Sequence, residues 1–98
     1  MANTERILKM ENNLNTCSKA IKEAEEKLEA LKAVRDNAEE LFAYYGSEDW
    51  YTDRESEIPC DMPAGVLSED LVYDEIVALR AFAFNMLETS TDILKNWI

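Results

Sequence analysis

All the helix breakers of this chain lie between residues 46 and 65, and there are only four: Gly46, Pro59, Pro63 and Gly65. Glycine and proline are the residues least compatible with a helix interior, so their confinement divides the chain into helix, linker and helix. No segment alternates apolar and polar residues for long, and the flanks are rich in Ala, Leu, Glu and Lys, which argues against strands. The predicted class is all-α. At 98 residues the chain is one helical domain's worth, with a helix over about 4–45, a linker over 46–67 and a second long helix over about 68–97. Such elements pack as an antiparallel helical hairpin or a three-helix bundle.

In the first segment the apolar positions are Ile7, Met10, Leu14, Cys17, Ile21, Ala24, Leu28 and Leu31. Steps alternating between three and four make a heptad seam, the pattern of a coiled coil, with polar residues on the other faces. The stripe resumes as Val34, Ala38, Leu41 and Tyr45, one residue earlier than the register demands. This phase slip marks a bend, a short break or a change of packing partner. Gly46 stands where a left-handed C-terminal cap belongs.

The last segment opens on a start signal. Ser68 is a good N-cap, Glu69 and Asp70 place negative charge in the first turn, and Leu67 and Val72 hold the two positions of a hydrophobic staple. Apolar residues then cover far more than one stripe of the helix. The Thr89-Ser90-Thr91-Asp92 stretch is a candidate interruption, because these side chains compete for backbone hydrogen bonds. A narrow seam on the first helix covers only part of so broad a face. The imbalance predicts a homodimer with the last helices at its centre, and Ile76, Leu79, Phe82, Ala83, Phe84, Met86 and Leu87 are the candidate self-association residues. A three-helix monomer is the alternative.

Charge is distributed unevenly. The net charge is −11, yet thirteen acids and a single base, Arg54, leave residues 36–75 at −12. The remainder of the chain is close to neutral. Such a balance disfavours direct contact with a nucleic-acid backbone or an anionic membrane surface. The longest uncharged apolar run, Ala81-Phe82-Ala83-Phe84, is far too short to span a bilayer. Glu5, Arg6 and Lys9 interrupt the opening residues, so no signal peptide is expected and the predicted location is cytoplasmic. Cys17 and Cys60 form no disulfide framework and no metal-site spacing.

Within the acidic segment, Ala43-Tyr44-Tyr45-Gly46-Ser47, Trp50, Asp53, Glu55 and Gly65-Val66-Leu67-Ser68-Glu69-Asp70 form two linker motifs, and Glu5, Arg6, Ile7, Met10 and Glu11 open the chain. Together these resemble a small bacterial family classed only as a domain of unknown function. The resemblance covers roughly residues 5 to 87. It implies a helical fold and supplies no activity. Members of that family tend to carry a basic residue or two just ahead of the second motif, whereas Cys60-Asp61-Met62-Pro63-Ala64 has none.

Read physically, the motifs serve mainly to turn the chain. Gly46 ends the first helix, Ser47 caps a short turn through Glu48-Asp49-Trp50, and the aromatic residues close the end where the linker crosses. Asp53, Glu55 and Glu57 are spaced like the opening ligands of a calcium loop. However, Ile58 stands where glycine is needed and Ala64 where a bidentate Glu belongs, so no metal is expected. The chain contains no histidine, no Gly-rich phosphate loop and no G-x-S-x-G. With the usual general base missing, we expect neither an enzyme nor a cofactor. The expected role is a self-associating interaction module whose acidic, aromatic end, with Tyr44, Tyr45, Trp50, Asp53 and Glu55 as candidate contacts, recognises a basic protein. The alternative is an acidic nucleic-acid mimic that inhibits a DNA- or RNA-binding protein, such as a phage-encoded inhibitor.

Overall fold

A computed structural model describes all residues, Met1–Ile98. It is largely helical, without a strand, and its chain forms two compact units, Met1–Asn37 and Ala38–Ile98.

The first unit is dominated by α1, Thr4–Lys32. Asn3 caps its start, its side-chain oxygen accepting from the Arg6 amide at 3.0 Å. No residue of α1 is buried. At its end the Ala33 amide still donates to Glu29, but the Val34 amide donates to Leu31 instead, a tighter turn that closes the helix. The chain resumes as α2, Arg35–Tyr44. This break falls where the apolar stripe slips by one residue. The two-residue step therefore lets Ala38, Leu41 and Tyr45 take up a new phase.

The second unit holds most of α2 with α3, Glu48–Glu55, a 3₁₀ turn at Gly65–Leu67 and α4, Glu69–Asp92. Gly46 has φ +77, the left-handed conformation that ends α2, and the Tyr45 amide donates back to Leu41. Ser47 then caps α3, its hydroxyl accepting from the Trp50 amide at 3.3 Å. The 3₁₀ turn delivers the chain to Ser68, whose Oγ accepts from the Asp70 and Leu71 amides at 3.2 and 3.4 Å. At Gly65 an added Cβ would stand 3.2 Å from Leu71 Cδ1, so a side chain there crowds the first turn of α4. Only two residues are buried, Trp50 at 3% exposed and Val72 at 4%.

The Thr89–Asp92 stretch does not interrupt α4. Thr91 Oγ1 donates to the Leu87 carbonyl one turn back, so its hydroxyl is satisfied without breaking the ladder. The change comes one residue later, where Ile93–Trp97 widens into a π-helical turn. Asp92 anchors that turn: Asn96 Nδ2 donates to one carboxylate oxygen at 2.7 Å and Trp97 Nε1 to the other at 2.8 Å.

Candidate functional site

The aromatic residues of the first linker motif meet around Trp50. Tyr45 and Tyr51 approach its indole edge-on, each at 5.0 Å between ring centroids. The Arg54 guanidinium lies 4.6 Å from the ring centroid and donates to Glu69 Oε1 at 3.1 Å. Trp50 Nε1 donates to the Val66 carbonyl at 2.8 Å, and the Tyr45 hydroxyl donates to the Glu69 carbonyl at 2.7 Å. Three contacts thus run from the first motif and α3 to the second motif. The one base of the acidic segment is among them, held between an aromatic face and a carboxylate.

Beside this cluster the linker folds over a cleft of about 270 Å³. Its walls are apolar: Ile58, Met62, Pro63, Ala64, Val66 and Leu67. Tyr44, Asp53 and Ser56 supply the polar edge. The Tyr44 hydroxyl donates to Asp53 Oδ2 at 2.6 Å, a short charge-assisted bond. That hydrogen bond, together with desolvation and the negative charges of Asp53 and Asp49, pushes the phenol up to about 12. Tyr44 is therefore a fixed, neutral donor at physiological pH.

These positions separate the candidate contact residues. Tyr44 and Asp53 stand together at the cleft. Tyr45 and Trp50 are half-buried and buried, and their polar atoms are spent on backbone carbonyls. The Trp50 ring therefore holds the end of the unit together and offers no open face to a partner. Glu55 closes α3 on the exposed surface, outside the cleft lining. No three acidic or cysteine side chains converge as metal ligands, Asp53, Glu55 and Glu57 included. The sequence reading missed the cleft walls and the placement of Arg54. Its one available signal was that Arg54 is the sole base among thirteen acids.

The family model of a domain of unknown function, DUF4298, matches residues 7–97. The chain belongs to this family. The match takes in both linker motifs and all of α4, and it carries no activity with it. No curated protein matches the chain in sequence.

Along α4 the candidate self-association residues occupy more than one side. Arg80, Ala83, Phe84 and Leu87 line one shallow groove and Phe82, Asn85, Met86, Thr89 and Ser90 another. Phe82 is 49% exposed, Phe84 53% and Leu87 63%. Leu79 and Ala83 are also exposed, while Ile76 and Met86 are half-buried. No helix is long and apolar enough to cross a membrane.

Proposed function

We propose that this chain is a non-enzymatic helical interaction module that self-associates through α4 and uses the apolar cleft at its acidic, aromatic end to take a basic protein partner. The observation that carries the reading is the exposure of Phe82, Phe84 and Leu87 on one helix. Phe84 and Leu87 share one face of the helix and Phe82 lies on another, so α4 leaves apolar side chains in water on more than one side, which a stable monomer seldom does. A second copy is the occupant that suits the charge. From Ile76 to Ile98 the chain carries two acids and two bases, so like meets like there without repulsion. The −12 segment lies elsewhere in the sequence. The small Ala83 beside Phe84 leaves a groove that accepts a ring or leucine from a symmetry-related helix.

The cleft supports the second half of the reading. Apolar walls with one carboxylate at the rim suit an aliphatic or aromatic side chain flanked by a lysine or arginine. A nucleic-acid mimic would need carboxylates spread over a polar surface, and a hydrophobic cleft among them favours the peptide. The absence of enzymatic activity is part of the proposal. The closest polar pair of the site fixes a neutral phenol with a raised pKa, which suits binding better than proton transfer near neutrality.

Sedimentation equilibrium of the full chain beside a Phe84→Glu, Leu87→Glu variant tests the self-association. We expect a dimer for the first and weakened self-association with unchanged far-ultraviolet circular dichroism for the second. A monomeric parent chain sinks the reading. For the cleft, capture of a basic partner from native extract should weaken with added salt and be lost in Tyr44→Phe, Asp53→Asn protein.

A further inference from the structure

We propose that α1 docks antiparallel on α1 of a second copy, forming a two-stranded coiled coil; this rests on the reading that the chain self-associates and adds a second, independent surface to it. Strict three–four spacing over four heptads is the pattern of a two-helix seam, narrower than the face a helix needs to line a globular core. The seam is open: Ile7, Met10, Leu14, Ile21 and Leu28 are between 44% and 59% exposed, and Cys17 is exposed too. Six acids and six bases leave Thr4–Lys32 with no net charge, so two copies of this helix approach without repulsion, unlike two copies of the −12 segment.

Side-chain size sets the direction. In a parallel, in-register pair every seam residue faces its own copy. Cys17 would then oppose Cys17 and Ala24 would oppose Ala24, leaving two under-filled layers. In an antiparallel pair Ile7 faces Leu31, Met10 faces Leu28, Leu14 faces Ala24 and Cys17 faces Ile21. All eight seam residues are used, and each small one is matched with a branched one. Flanking charge points weakly the other way. The antiparallel pair sets Glu11 near Glu25, while the parallel pair gives Arg6 near Glu11 and Lys27 near Lys32. Screened surface charges contribute little, and unfilled core layers cost much more, so packing decides.

The test uses the full chain with Cys17→Ala and Cys60→Ser, spin-labelled singly at Asn12→Cys, Lys19→Cys or Glu26→Cys. These three positions lie on the face opposite the seam, where substitution leaves packing intact. An antiparallel pair places Lys19 level with its own copy and offsets Asn12 and Glu26 by about 21 Å along the axis, at about 1.5 Å per residue. The expected interchain distances are therefore shortest at Lys19, with the other two longer by similar amounts. Three equal distances would mean a parallel pair and overturn the proposal. A dimer by sedimentation with no interchain distance at any of the three positions would overturn it too, and leave α4 self-association standing. A chain that is monomeric throughout overturns both.

Discussion

The indole of Trp50 and the carbonyl of Val66, sixteen residues apart, are joined by a 2.8 Å hydrogen bond. In a unit with only two buried residues this bond and the ring that makes it tie α3 to the entrance of α4. Their removal should be felt as a large share of the stability. Trp50→Ala deletes the ring and should cost about 3–5 kcal/mol. Trp50→Phe keeps most of the apolar surface and loses the donor, for about 1 kcal/mol, since solvent reaches the half-exposed Val66. Urea denaturation followed by circular dichroism should rank the parent chain above Trp50→Phe and Trp50→Ala lowest. Equal midpoints for all three would remove the ring from its keystone position.

At the other side of the cleft, Tyr44 gives a pH prediction whose sign is fixed. Its pKa is raised from 10.0 to about 12, first by the hydrogen bond to Asp53, so folding favours the protonated phenol. That contribution is complete below pH 10 and disappears as the pH rises towards 12. Titration of tyrosinate absorbance, with Tyr44→Phe protein subtracted, should show one tyrosine ionising late. In Asp53→Asn protein that midpoint should fall back towards the ordinary value.

Helix ends were the most legible part of this chain. Gly46, Ser47 and Ser68 act through their own neighbours, so residue type and position suffice to read a left-handed cap and two N-caps. The slip at Val34 was legible for the same reason, since helical phase is a local property. That the aromatic residues close the end where the linker crosses was legible too, but the partners they find there were not. Trp50 and Tyr45 both reach backbone carbonyls, which every residue possesses, and no side chain at the far end advertises the pairing. The cleft was hidden likewise, because Ile58, Met62 and Pro63 are walls only once the linker has turned. Trp50 reads both as a packing residue at the linker end and as a candidate contact, and tertiary packing turns it inward.

The Gly46 backbone separates conformational strain from steric conflict. A Cβ at this position would meet nothing within 4 Å, so a substitution there is penalised by φ +77 alone. Gly46→Ala should therefore destabilise by about 1 kcal/mol, and Gly46→Asn by less, because asparagine tolerates the left-handed region. Urea midpoints of the two variants in that order would support backbone strain. Equal losses would point to a contact at the cap.

Asp92 accepts from two side chains of the C-terminal turn, and acid should release them. Asn96 and, to a lesser degree, Trp97 donate to its two oxygens and hold its carboxyl below the ordinary value of 3.8. Folding thus favours the ionised form. The contribution is present above that value and is lost as the pH falls through the lowered one. Protonation removes an acceptor, so the Trp97 indole donor should be freed at low pH. Because Trp50 and Trp97 are the only tryptophans, two indole N–H resonances report the two sites. The Trp97 resonance should shift and exchange faster on acidification, and Asp92→Asn should show much of that change already at neutral pH. The Trp50 resonance, bonded to a carbonyl that does not titrate, should stay in place. A Trp97 resonance that is insensitive both to acid and to Asp92→Asn would show that the π-helical turn is held by its backbone and not by this carboxylate.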